Sequence, residues 1–502
     1  GANRKVFGDL VAGEDVGKQP KTGYKEWDGD VKVEWHLSDR QDLVFAYQQV
    51  YQDDAWRAHK TIYGVNWEDT TNGSDKKRAL DQGRQLTYLQ YHAKELGTIF
   101  DKLHASVSFH LQEEERYRRR SDDRVNKYGV EVGTLGLWVQ METPSPVGRW
   151  TYGAEFYRDG VESWARNYNA DGSFNSEGIQ GPVGDNSTYD LFGVYVQNEF
   201  TVLERLDLTL GVRYNYASAD VGQYEDPVSG LSESSSENWS SVVGSARFVW
   251  RFDPEERWAA YGGISQGFRA PNLSDLARLD TARSNELETP YPDLDPEKYI
   301  TCEIGVRSRY ENFSAQAAYF YTDVRDMIVR VPTGVVIGTD LEVTKKNAGD
   351  GCVQGIELGA TYRFLPQWSV FAAMTWLDGE VETYPTSAPD VETEPIDRLM
   401  PTTGLLGVRW DHPERKCWAE AVVIGADEAD DLSARDEGDT DRIPPGGTPG
   451  YAVLNLRSGW KLTENLTVSA AVENLTNKDY RVHGSGQNEP GTNVVLSTDW
   501  RF

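Results

Sequence analysis

The sequence predicts an all-β chain, a large antiparallel transmembrane β-barrel with about nineteen strands in view. Three observations predict it. Hydrophobicity alternates with period two through segment after segment, the mark of strands that separate two environments. The connections between these segments alternate between short and long with hardly a break. Trp and Tyr gather near strand ends, where their amphipathic rings favour a boundary between hydrocarbon and water.

In chain order the period-two segments lie near 30–37, 42–51, 84–93, 103–113, 130–141, 148–158, 190–203, 206–216, 239–252 and 258–268. They continue near 299–310, 313–324, 353–364, 368–379, 403–410, 416–425, 450–460, 466–475 and 493–502. No amphipathic helix separates them. In "ITCEIGVRS", Ile300, Cys302, Ile304 and Val306 alternate with Thr301, Glu303, Gly305 and Arg307. In "VQGIELGATYRF", Ile356, Leu358, Tyr362 and Phe364 oppose Gly355, Glu357, Gly359 and Arg363. The last segment, "NVVLSTDWRF", places Val494, Leu496, Trp500 and Phe502 on one face. One face is mostly apolar and the other small and charged.

The short connections are "SDRQ" at 38–41, "TPSPV" at 143–147, "DPEER" at 253–257, "LPQ" at 365–367, "DHPER" at 411–415 and "TEN" at 463–465. Pro, Asp, Asn and Ser give them turn chemistry. The long ones span roughly 52–83, 159–189, 217–238, 269–298, 325–352, 380–402, 426–449 and 476–492. In an antiparallel meander, alternate connections lie at the same end. One end therefore has tight turns and the other large loops, as in barrels that cross a membrane. A soluble sandwich also alternates, but it gives no reason to sort its loops by length. Trp35, Trp138, Trp150, Trp250, Trp258, Trp368, Trp410, Trp460 and Trp500 are the expected girdle residues.

Composition narrows the function. The chain has 51 Lys plus Arg against 80 Asp plus Glu, a net charge of −29, which excludes nucleic acid as a partner because little would neutralise phosphates. Its 16 Trp, 26 Tyr and 16 Phe are too many for a disordered acidic chain. No run of about 18 apolar residues offers a transmembrane helix. Three cysteines form no CxxC pair, and neither a GxSxG elbow nor an HExxH motif is present, so no enzyme is expected. Cys302, Cys352 and Cys417 fall on the apolar face and are expected as free, lipid-facing thiols. The opening "GANRKVFGDL" has no apolar signal-peptide core, and the chain reads as a fragment with an upstream part.

Four stretches carry a family resemblance. "VENLTNKDYRVHGSGQNEPGTNVVLSTDWRF" (472–502) resembles the C-terminal signature of TonB-dependent outer-membrane receptors. "SQGFRAPNLSDL" (265–276), "LDPEKYITCEIGVR" (294–307) and "DTDRIPPGGTPGYAVLNLR" (439–457) resemble further segments of the same family. Thr492 stands where the family often has Arg. The resemblance implies a barrel of about 22 strands, so 1–502 reads as the C-terminal barrel portion, with two to three strands and an N-terminal plug upstream or on another chain. Residues 1–12 are expected to hold the end of a preceding strand. It further implies energy-coupled uptake of a scarce bulky nutrient (an iron-siderophore, cobalamin or an oligosaccharide) across the outer membrane of a Gram-negative-type bacterium. The implied partners are the plug, a TonB-type coupling protein acting through it, outer-membrane lipid and lipopolysaccharide, and the barrel-assembly machinery. That machinery would read Phe502, whose strand is expected to pair with the first and close the barrel. The alternative reading is a surface-binding scaffold whose plug comes from another chain.

Within that frame, Arg269, Glu303, Arg307, Glu357 and Arg363 point inward by parity and are candidates for contact with plug or ligand. Tyr291, with Trp164 and Tyr168, is an aromatic loop candidate. The acidic segment "DEADDLSARDEGDTDR" (427–442) offers Asp427, Asp430, Asp431, Asp436 and Asp439 as oxygen ligands for a loop-bound calcium, against a solvated acidic loop as the plainer reading. "EEERYRRRSDDR" (113–124) is expected as a loop patch that pairs with itself or grips an anionic ligand.

Overall fold

A computed structural model describes residues 19–97, 99–281, 286–414 and 416–501. One sheet contains 23 strands. Four of them, Phe174–Glu177, Asp280–Thr281, Glu286–Thr289 and Glu392–Pro395, are two to four residues long and lie in loops. The other nineteen form an uninterrupted meander in which each pairs antiparallel with its neighbours in the chain. They begin with β1 (Lys25–Ser38), β2 (Gln41–Trp56), β3 (Lys77–Ala93), β4 (Lys102–Arg119), β5 (Val125–Ser145) and β6 (Gly148–Tyr168). Next come β7 (Ser187–Leu203), β8 (Leu206–Glu225), β9 (Ser232–Trp250), β10 (Trp258–Arg269), β11 (Glu297–Arg309), β12 (Phe313–Ile337) and β13 (Asp340–Leu365). The series closes with β14 (Trp368–Thr383), β15 (Thr403–Asp411), β16 (Cys417–Ala426), β17 (Tyr451–Lys461), β18 (Leu466–Glu473) and β19 (Asn493–Trp500). The expected strand count and antiparallel order hold.

The short-turn end is tight: β1 and β2 are joined through Asp39 and Arg40, and β5 and β6 through Pro146 and Val147. Gly148 opens β6 at φ +114°, a conformation that a side chain would strain. At the other end several expected loops are strand. β12 and β13 are 25 and 26 residues long, whereas an apolar band about 25 Å tall needs only about ten tilted residues. Their hairpin therefore stands well above the membrane, and the expected loop 325–352 is mostly ladder. The loop expected at 217–238 likewise reduces to the turn between β8 and β9. The 113–124 patch lies largely on β4 and pairs with its neighbours, as in Arg118 with Asp75, Arg119 with Asp123 and Lys127 with Glu115.

The outer face is apolar. Ile304, Leu406 and Val242 are 61, 55 and 64 % exposed at mid-strand, which suits lipid and not water. Trp35, Trp250, Trp368, Trp460 and Trp500 are exposed near the short-turn end, and Trp368 lies directly opposite Trp410. Trp138 departs from the expected girdle. It shares the inward face with His104, its ring 6.5 Å away, because it alternates with the outward Leu135 and Leu137. The three cysteines are free.

Loops from opposite ends of the chain meet. Lys60 Nζ, between β2 and β3, lies 2.8 Å from Asp441 Oδ2, between β16 and β17. The Thr71 amide donates to the Thr440 carbonyl at 2.8 Å. The sheet has therefore curled far enough for loops from its two ends to interlock. Among the described residues β1 pairs only with β2 and β19 only with β18, so the expected pairing of the last strand with a first one is not seen. The strand expected at residues 1–12 and the terminal Phe502 lie outside the described residues.

Candidate functional site at the loop-covered mouth

β10 ends at Arg269, and the chain turns through Ala270 and Pro271 to Asn272, which caps a one-turn helix, α1 (Leu273–Ala277). Asn272 Oδ1 accepts from the Asp275 amide at 2.9 Å, and Asp275 Oδ2 accepts from the Asn272 amide at 3.1 Å. This reciprocal cap aims Asp275 back at Arg269. The Arg269 guanidinium donates to both oxygens of Glu297, at 2.5 and 2.6 Å, and to Asp275 at 2.7 Å. Such a fork is the strong form of ion pair. Lys345 on β13 reaches Asp275 at 2.8 Å, and Glu297 also accepts the Ile328 amide at 2.9 Å. Burial would push the Asp275 carboxyl up, but Lys345 and Arg269 hold it below the usual carboxylate range. A second node sits alongside. Glu288, 1 % exposed, faces Arg330 at 2.7 Å and Lys345 at 3.6 Å, while its segment Glu286–Thr289 adds to β13 in parallel. The loop between β10 and β11 is thus clasped to the tall hairpin.

Beneath the clasp is a cavity of about 630 Å³, lined by Tyr157, Asp159, Tyr189, Arg213, Phe268 and Arg269. A buried cluster that includes Val161, Val221, Trp239, Leu273 and Leu276 roofs it. The Trp239 indole donates to the Leu294 carbonyl at 2.8 Å, and the Tyr189 hydroxyl donates to the Pro271 carbonyl at 3.0 Å. Arg213 is paired with Glu155 across the side-chain-free Gly193. An apolar and aromatic chamber of this size with a few fixed ionic groups matches what small-molecule sites require.

The acidic segment forms the second clasp. Asp436 is buried at the start of α2 (Ala434–Gly438) and accepts the Arg398 amide at 2.9 Å. Asp439 is held by Arg398, by Arg442 at 3.4 Å and by Lys60 at 3.5 Å. Burial would push Asp439 up, but the hydrogen bond from Asp441 and these three cations hold it far below the usual carboxylate range, while burial and Asp439 push Asp441 up. Asp427, Asp430 and Asp431 are exposed. The five aspartates expected as calcium ligands are therefore not brought together; two already have arginine partners. His59 packs into the same clasp, where a Cβ on Gly486 would lie 2.2 Å from its Nδ1. Burial, with Arg442 and Arg57 nearby, holds its imidazole down to about 3. Arg481 stacks over Trp67 with 4.9 Å to the ring centroid.

Other expected residues are placed as follows. Glu303, Arg307, Glu357 and Arg363 are exposed on the lumenal face with no ion pair among the described residues; Arg307 lies 6.0 Å above the Tyr261 ring. Tyr291 is half-buried against the roof cluster, with Lys346 5.4 Å from its ring centroid. Its amide donates to the Leu276 carbonyl at 3.0 Å, so it fixes the loop and is not an exposed tip. Sequence reasoning reached Arg269 but missed Asp275, Glu297, Glu288, Lys345, Lys60 and Arg398. The capping pattern at 272–275 was a readable signal; the cross-loop partners were not.

The family described as "TonB dependent receptor-like, beta-barrel" matches residues 3–475. The pesticin receptor of Yersinia enterocolitica (serotype O:8 / biotype 1B) is 26% identical over 311 residues, 59% of this chain and 41% of that receptor. The iron-regulated outer membrane virulence protein of Vibrio cholerae serotype O1 (strain O395) is 23% identical over 319 residues, 61% of this chain and 44% of that protein. Among solved structures, the copper transporter OprC superposes with a TM-score of 0.75 at 16% identity, over 95% of this chain and 72% of that one. The ferric yersiniabactin uptake receptor FyuA of Yersinia pestis gives 0.70 at 18%, over 99% and 71%. The chain spans less than half the length of the curated relatives it matches.

Proposed function

This chain belongs to the TonB dependent receptor-like β-barrel family, and on that premise we propose that it forms the outer-membrane barrel of a receptor importing a scarce iron complex by TonB-coupled transport. The observation that carries the reading is the cavity of about 630 Å³ beneath the ion-paired clasp of Arg269, Asp275 and Glu297. A diffusion pore has no use for loops locked across its mouth. A receptor needs a chamber that captures a bulky ligand before it moves inward.

Tyr157, Tyr189 and Phe268 would supply apolar contact to the organic part of a chelate. Arg213 and Arg269 are already neutralised by Glu155 and Glu297, so the cavity suits a neutral or cationic complex. Iron is favoured by the relatives, which include a protein named as iron-regulated and an uptake receptor for ferric yersiniabactin. Glu303, Arg307, Glu357 and Arg363 would dock a plug by ion pairs, and a TonB-type protein would pull on that plug. Lipopolysaccharide and the barrel-assembly machinery are partners on the same reading. The test is a tryptophan-fluorescence titration of the purified protein with a panel of ferric siderophores. Saturable quenching by one of them, weakened by Tyr157→Ala and by Phe268→Ala, is expected. Saturable binding that ignores both substitutions would move the ligand out of this cavity.

A further inference from the structure

The chain has seven histidines, and the register of the first four strands sets three of them in one line. His36 on β1 lies opposite Asp42 on β2, Asp42 opposite His92 on β3, and His92 opposite His104 on β4. All four point inward, because Val33, Trp35, Leu37, Leu89 and Val107 take the lipid side of the same strands. They sit within a few residues of the short turns, at the periplasmic rim of the lumen. His36 Nδ1 is 2.6 Å from Asp42 Oδ1. Glu34, two residues before His36 and so on the same face, brings a third donor. One ligand atom each from Glu34, His36 and Asp42 lies within 4.8 Å of the others, the sole such group among the described residues. The next pair along the row, His92 and His104, has ring centroids 4.7 Å apart.

We propose that this row is a binding site for a borderline divalent cation such as Zn²⁺, Cu²⁺ or Ni²⁺. Glu34, His36 and Asp42 form its core, and His92 and His104 extend it. Mixed imidazole and carboxylate donors select this class over Ca²⁺ and Mg²⁺, which take all-oxygen cages. Metal–ligand bonds of about 2.0–2.2 Å set neighbouring donors about 3.4 Å apart, a distance these side chains reach by small rotations. The nearest cation on the β4 side, Lys102, is neutralised by Glu142 at 3.0 Å and does not oppose a bound metal. Three donors leave a coordination position open to the lumen, so a cargo or plug side chain passing the rim could complete the shell. The site lies at the opposite end of the barrel from the mouth cavity, and its test does not depend on which nutrient is carried.

The experiment uses tag-free protein extracted from outer membranes. Zn²⁺ is titrated by calorimetry and Cu²⁺ by electron paramagnetic resonance, which reports nitrogen ligation directly. One saturable site is expected. His36→Ala and Asp42→Asn should each weaken it by about tenfold or more, and the His92→Gln/His104→Gln pair should reduce the nitrogen hyperfine lines. His412→Gln, in a turn outside the row, is the control and should leave both readings unchanged. Heat-modifiable gel migration checks that each variant is folded, and Glu34→Gln gives a milder substitution within the core. Absence of saturable binding overturns the proposal. So does equal affinity in His36→Ala and the parent, or an equal loss in the His412→Gln control, which would mark an adventitious ion only.

Discussion

Arg269→Ala should release the mouth loop while leaving the barrel intact. The arginine makes three hydrogen bonds to two carboxylates that are almost fully buried, Glu297 with 5 % and Asp275 with 9 % side-chain exposure. Removing one partner of a buried ion pair costs about 3–5 kcal/mol because the other charge is left stranded. Here the cost is smaller on two counts. Asp275 keeps Lys345, and Glu297 keeps the Ile328 amide and the Tyr299 hydroxyl. Arg269 itself is 37 % exposed, so part of its field is screened. A local loss of about 2–3 kcal/mol follows, equivalent to about 30- to 150-fold faster opening. Hydrogen exchange by mass spectrometry reads it in the peptide covering 270–281, with β8 and β9 as internal references. Arg269→Lys should recover only part, since an ammonium cannot make the fork. Unchanged exchange in that peptide would refute the clasp, and faster exchange spread through β8 and β9 would show that Arg269 supports the barrel instead.

Further outcomes are expected elsewhere. The second clasp should loosen in acid: the buried imidazole of His59, held down to about 3, is depressed below its unfolded value, so its stabilisation is complete above about pH 6.5 and is lost as pH falls toward 3. ¹⁹F NMR of 5-fluorotryptophan at Trp67 across that window should show the ring released on the acid side. Gly486→Val should cost that clasp about 1–3 kcal/mol by forcing a side chain into the His59 ring, read as the same release at neutral pH without a change in global unfolding. Leu406→Arg, in the apolar outer band, should destabilise the barrel in liposomes by about 2–4 kcal/mol, whereas Glu303→Arg on the lumenal face should be nearly neutral. Urea unfolding of the two variants decides whether the faces are assigned correctly.

The strand order was legible because lipid imposes a single rule, apolar outward on every second residue, and Ile304, Leu406 and their neighbours obey it. The rule lapses above the membrane. In 325–352 both faces meet polar surroundings, so period two fades although the β12–β13 ladder continues, and the stretch reads as loop. Trp138 misled for a related reason: its position near a strand end fitted a girdle, but only register against Leu137 shows that it faces inward. The acidic segment looked solvated or metal-binding because its partners are remote. Lys60 precedes Asp441 by 381 residues, and neither composition nor spacing can join them. All four members of the histidine row, His36, Asp42, His92 and His104, lie in recognisable strands. Bringing Asp42 and His36 into the same line required the pairing of four strands.

Uptake of radiolabelled iron, supplied on the siderophore selected by the binding titration, tests the import reading most directly. It compares iron-starved cells that express this protein from its own gene with cells lacking it. Saturable accumulation that requires the gene, and that stops when the proton gradient is collapsed or the TonB-type protein is removed, is the expected result. Accumulation that persists without the gradient would make the barrel a pore, and none at all, with surface binding retained, would make it a scaffold.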